Sequence, residues 1–240
     1  MKLPNNIDLS SAKSSIKEID DNHVVLSVDE TDTTEMYDID YPDESESIKY
    51  TKHLVRLIRS SYEYKQFIGI LKNEMNLTKC RFIPLVDIEN TKGLSIEMHH
   101  YPYTLFDIVH AVRDKLIVEN KINESYYTFE IVKRVMEMHY EGKVGIVPLS
   151  YTAHELSHSG ELFIPLTEEF VFGNWKDIDD DMYLSEGLRE KLNILEKYTE
   201  RIKEDPELFD LSILDPISTQ IEMKEAIQPV KIEDEELKQA

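Results

Sequence analysis

Across residues 48–76 the apolar side chains fall at helical spacing, with Leu54, Leu57 and Ile58 followed by Phe67, Ile68 and Leu71. Such a stripe predicts an amphipathic helix with one face on a core. Ahead of it, residues 23–28 read as a short strand, and residues 36–41 as its return after a turn at 29–32. Further on, residues 81–86 and 94–98 read as two strands around the turn at 89–93, and the second runs straight into His99-His100. Thr104, with Asp107 three residues later, predicts a capped helix start, and that helix continues to about Leu116. A second helix is expected from Asn123 to Gly142, with Phe129, Ile131, Val132, Val135 and Met138 on its core face. Residues 144–149 form a short apolar strand or loop, and residues 151–159 a short helix closed by Gly160. Residues 162–166 and 170–173 read as short extended pieces. Ser185 caps a last helix carrying Leu188, Leu192, Leu195 and Ile202, which stops before Pro206. Residues 207–240 read as a loosely structured acidic tail, and no internal repeat is visible. The mixture is that of an α+β protein.

Charge changes this picture more than composition does. The net charge is −21, but it is unevenly spread. Residues 1–50 carry 13 acidic and 4 basic side chains, residues 51–160 carry 13 and 14, and residues 161–240 carry 22 and 9. An acidic surface repels nucleic acid, yet the neutral middle leaves a phosphate substrate acceptable there. Within it, Lys52, Arg56, Arg59 and Lys65 are the one basic concentration ahead of the expected core. Cys80 is the single cysteine, which excludes an internal disulfide and any Cys-rich zinc cage. With no secretory leader and no run long enough to span a membrane, the expected location is the cytoplasm, or the inside of a virus particle.

Four of the eight histidines sit at two tight spacings. In His154-Glu155-Leu156-Ser157-His158 the i,i+4 separation puts both imidazoles on one helix face, where both can reach a single ion. His99 and His100 are neighbours on a strand and point to opposite sides, so they cannot share one role. Gly142, Gly145 and Gly160 surround the second pair in a chain with only seven glycines. His110 and His139 lie on predicted helices and read as structural, and the single Trp175 reads as a packing anchor.

The run Ile96-Glu97-Met98-His99-His100-Tyr101-Pro102 resembles the first motif of the HNH (ββα-metal) nucleases, an apolar strand ending in His-His or Asp-His. Residues 147–160, from Val147-Pro148-Leu149 to His154-x-x-x-His158, resemble that family's last motif. The resemblance covers about residues 80–165. It implies a ββα-metal core with a helical insertion at 104–142, one divalent ion (Mg, Mn, Ni or Zn), and nucleic acid, DNA foremost, as substrate. It also implies His99, His154 and His158 as metal ligands and His100 as the general base that deprotonates water. The family's middle Asn would fall near Gly145. Ser150 and Ala153 replace the cysteines of members with an accessory zinc, so none is implied.

The expected organisation is an acidic extension with a candidate hairpin at 1–48, an HNH-like core with a leading helix and the insertion at 49–175, and an acidic helix and tail at 176–240. The leading functional expectation is a metal-dependent endonuclease. The alternative is an HNH-like scaffold without catalysis, acting as a binding or assembly component of a larger, viral complex; its acidic flanks would meet a protein partner. The segment His154-Glu155-x-x-His158 also satisfies the zincin protease pattern, with Glu155 as base and Glu168 or Glu169 as third ligand. Pro148 and Gly160 confine it to about nine residues, whereas zincin motifs sit inside long helices.

Overall fold

The computed structural model describes residues 16–18, 24–26, 43–83, 95–119, 127–178, 180–206 and 209. Strands β1 (Ile16–Glu18) and β2 (Val24–Leu26) pair antiparallel, with Ile16 opposite Leu26. The strand expected at 23–28 is therefore present as β2, but the partner seen precedes it; residues 36–41, expected to return, lie outside the described residues.

The helical pattern of residues 48–76 is two helices, α1 (Glu44–Ser60) and α2 (Tyr62–Asn73). Ser61 breaks it: its backbone is extended, and its hydroxyl accepts the Tyr64 N–H at 3.1 Å. A serine competes for backbone donors in this way and favours a cap over a helix interior. Asp43 does the same for α1 through the Glu46 N–H.

Strand β3 (Ile96–His100) leads to α3 (Leu105–Val118), α4 (Thr128–Tyr140), β4 (Ile146–Ser150) and α5 (Tyr151–Ser159). The partner of β3 is the distant β4, antiparallel, with His99 opposite Val147 and Ile96 opposite Ser150. The pairing expected with residues 81–86 falls largely outside the described residues, which leave out 84–86 and the turn at 89–93; residues 81–83, which are described, are not a strand. The end that is described joins β4, because the Arg81 N–H donates to the Pro148 carbonyl at 3.0 Å. The apolar run of β4 was readable, but which strand it would join was not.

Thr104 and Asp107 form the expected capping box, each side chain bonding the other's backbone N–H. Helix α4 starts at Thr128 without a side-chain cap, and residues 120–126, including Asn123, lie outside the described residues. Phe129, expected in the core, is 86% exposed. It sits two residues before buried Ile131, about 200° round the helix from it. Gly142, with φ of 71°, follows the helix end as expected.

After α5 an irregular stretch leads to α6 (Glu186–Glu204), which Ser185 caps through the Leu188 N–H. The core does not stop at Trp175. Ile178, Met182, Leu184, Leu188 and Leu195 join the same buried cluster as Leu54, Ile58, Ile131 and Leu149. Buried charges fasten the layers. The Asp181 carboxylate takes Arg134 of α4 and the Lys143 ammonium (the latter at 2.8 Å), and Asp107 of α3 takes Lys191 of α6 at 3.2 Å.

Gly145 closes the base of the long connection. Its carbonyl accepts the Tyr101 N–H at 3.0 Å, and a Cβ placed on it would lie 1.9 Å from the Tyr101 carbonyl oxygen. A methyl group there must push β3 and β4 apart. Gly145→Ala is expected to cost about 1–3 kcal/mol or more and so to lower Tm by at least several degrees in a thermal melt. An unchanged Tm would refute the contact.

Candidate metal centre

On β3 the side chains alternate. Glu97 and His99 face α5, whereas His100 turns to the other side. Helix α5 begins at the residue after β4, and its i,i+4 pair hangs over the same strand. The result joins His99, His154 and His158, whose ligand-type atoms all lie within 4.8 Å of one another. The His154 and His158 Nε2 atoms are 3.1 Å apart, and their rings stand edge to face at 4.3 Å between centroids. Two nitrogens on one tetrahedral ion at about 2.0–2.1 Å would be about 3.3 Å apart. The other nitrogen of His154, Nδ1, meets the Glu97 carboxylate at 2.8 Å. A carboxylate there fixes the tautomer that leaves Nε2 free to coordinate.

His99 is 4% exposed, and its Nδ1 is buried without a hydrogen-bond partner. Its pKa is held well below the ordinary histidine value, first by burial and then by His154, His158, Lys191 and Arg59. The ring stays neutral at neutral pH and keeps a lone pair for coordination. Among the described residues this is the one such trio, and its third member is His99 of β3 rather than the exposed Glu168 or Glu169. Glu155 is exposed as well, and Gly160, with φ of 78°, ends the helix right after Ser159.

His100 does not join the cluster. It is 2% exposed, stacks on Tyr64 of α2 with ring centroids 6.2 Å apart, and sets its Nε2 3.1 Å from the His139 Nε2. His139 places Nδ1 2.6 Å from the Val135 carbonyl. Only Nδ1–H can donate to a carbonyl, so the neutral His139 ring accepts at Nε2 and His100 must donate from its own Nε2. Sequence reasoning separated His99 from His100 correctly but did not foresee the His100–His139 pair. Their 39-residue separation carries no local signal. Glu97 was likewise missed; its place two residues before His99 on one strand face was the available clue.

An α+β chain in which two paired strands and a following helix bring three histidines together is the class that fold and site define. The chain belongs to the bacteriophage G278-like virion proteins, the family whose profile matches residues 1–227. That match runs through the acidic N-terminal extension and most of the C-terminal one. No curated protein and no solved structure matches the chain. Among the described residues, no helix is long and apolar enough to cross a membrane.

Burial pushes the His139 pKa down to about 4, against the opposing pull of the Val135 carbonyl. In the unfolded chain the same ring titrates near 6.5. As pH falls from about 6.5 toward about 4, the unfolded chain takes up a proton that the folded one refuses, so stability is lost across that window. The loss is on the order of 3 kcal/mol. Melts in EDTA at stepped pH should show Tm falling over this range, and a shallower fall for His139→Leu. Equal slopes would contradict the buried neutral ring.

Proposed function

We propose that the chain is an assembly component of the phage particle, and that a divalent ion held by His99, His154 and His158 fastens β3 to α5. Membership of a virion-protein family carries the first half. The convergence of three imidazoles from two elements, one of them steered by Glu97, supports the second. A borderline ion such as zinc or nickel suits an imidazole set better than magnesium, which takes carboxylates and waters; zinc is the ion to test. The ion would join residues that 55 positions of chain separate, and would give buried His99 the partner it lacks.

Titration calorimetry of the full chain with Zn²⁺ should give about one ion per chain, and saturation should raise Tm. Glu97→Ala should weaken binding about 10–100-fold, and His158→Ala should weaken it more. Absence of binding by the wild type, or equal binding by His158→Ala, would sink the metal reading. Failure to detect the chain in purified particles by mass spectrometry would sink the assembly reading.

A second reading, metal-dependent phosphodiester hydrolysis, draws on the order strand, strand, helix and on a three-ligand set. Three protein ligands leave a fourth tetrahedral position for water, which the ion would activate. Against it, the residue that the HNH resemblance makes the base, His100, is buried on the far face of β3. A plasmid-nicking assay with Mg²⁺, Mn²⁺, Ni²⁺ or Zn²⁺ separates the two. The assembly reading expects no nicking, and metal-dependent nicking lost in both His158→Ala and His100→Ala would establish hydrolysis instead.

A further inference from the structure

Helix α1 carries a feature that neither the family nor the metal site explains. In this chain 48 of 240 residues are acidic, yet residues 47–62 contain none. The helix buries Ser47, Thr51, Leu54 and Ile58 on one side. On the other side Lys49, His53, Arg56 and Arg59 are exposed, with half-buried Lys52 beside them. At 100° per residue the four Lys and Arg positions fall within one sector of about 80°, opposite the buried stripe. With a rise of 1.5 Å per residue the cationic ridge is about 15 Å long. Lys49 also meets Glu46 at 2.7 Å, an exposed pair that a stronger anion can replace. The ridge ends near the histidine strand, since the Arg59 charge disfavours protonation of both His99 and His100.

A ridge of one sign on a chain of net charge −21 is the face by which a polyanion can approach it. We propose that the exposed face of α1 docks the phosphate backbone of nucleic acid. Arg56 and Arg59 stand about one turn apart, and their planar forks match phosphate oxygens bidentately. A straight row of cations fits a ligand charged at every repeat better than a protein segment whose carboxylates are irregularly spaced. The partner is also at hand, because a phage particle encloses a polyphosphate. Contacts of this kind position a protein without reading sequence. The proposal needs no metal and no hydrolysis, so it stands apart from the reading of the histidine site.

The test is fluorescence anisotropy of a labelled duplex of about 20 base pairs with the full chain, in EDTA, from about 50 to about 200 mM salt. Four phosphate contacts predict a log–log slope of about −3.6, which is about a 10²-fold loss of affinity across that range. Arg56→Gln/Arg59→Gln should cut the slope by about 2 and weaken binding at low salt by at least about tenfold. Lys197→Glu, an exposed change on α6, should leave both unchanged. Both changed arginines are exposed, and equal melting curves would exclude misfolding as the cause. No binding by the wild type at low salt would overturn the proposal, as would an unchanged slope in the arginine variant. Displacement of the duplex by poly-glutamate at equal charge concentration would transfer the ridge to an acidic protein segment, which also overturns it. Because EDTA is present throughout, failure here leaves the zinc titration untouched, and failure there leaves this result untouched.

Discussion

The antiparallel register of β3 on β4, with His99 facing Val147 and His100 facing Ile146, is the constraint from which the rest follows. A strand has period two, so a slip of one residue would exchange every side chain between its faces. His99 would turn to α2 and α4, and His100 would take the place beside α5. The register is held from both ends. All five residues of β4 are buried, and beyond His100 the Tyr101 N–H bond to Gly145 fixes how the chain leaves the sheet. The two strand faces thus acquire different chemistry. One carries Glu97 and a cluster of imidazoles suited to an ion, while the other carries a neutral, buried histidine pair locked to a backbone carbonyl.

That division also explains what Gly145 does. The position that the HNH resemblance would fill with Asn is pressed against the Tyr101 backbone, and no side chain fits there. Any stabilisation of the cluster must come from another group, and Glu97 on His154 is placed to provide it. A site built this way depends on the strand for its second sphere rather than on the loop.

Much of this was legible in the sequence where the signals are local. The Thr104–Asp107 box, the helix between Ser150 and Gly160, and the Ser185 cap each rest on side chains within four residues of what they bond. The i,i+4 histidines and the opposed directions of His99 and His100 follow from helical and strand periods alone. What failed was long-range or competitive. Nothing in β3 itself announces that it will pair with a strand beyond two helices. Ser61 interrupts a stripe that apolar spacing alone would continue. Phe129 was assigned inward for its hydrophobicity, although its angle on α4 opposes Ile131. The acidic flanks read as additions to a core, yet the family pattern extends through most of both.

The separation of β3 from β4 has a kinetic side. A tight hairpin closes over a few residues, but this pair must close over residues 101–145, which costs about 2 kcal/mol more in chain entropy than a four-residue turn. Helices α3 and α4 offset that cost by packing on each other and carrying the two strand ends together. Pairing of β3 with β4 is thereby coupled to docking of the helices, and non-local contacts of this kind slow the search for the native state. Until that docking is complete the two halves of the histidine cluster remain on separate parts of the chain. Any ion held by all three rings would have nothing to bind before then, so the cluster is complete only once β3 and β4 have paired.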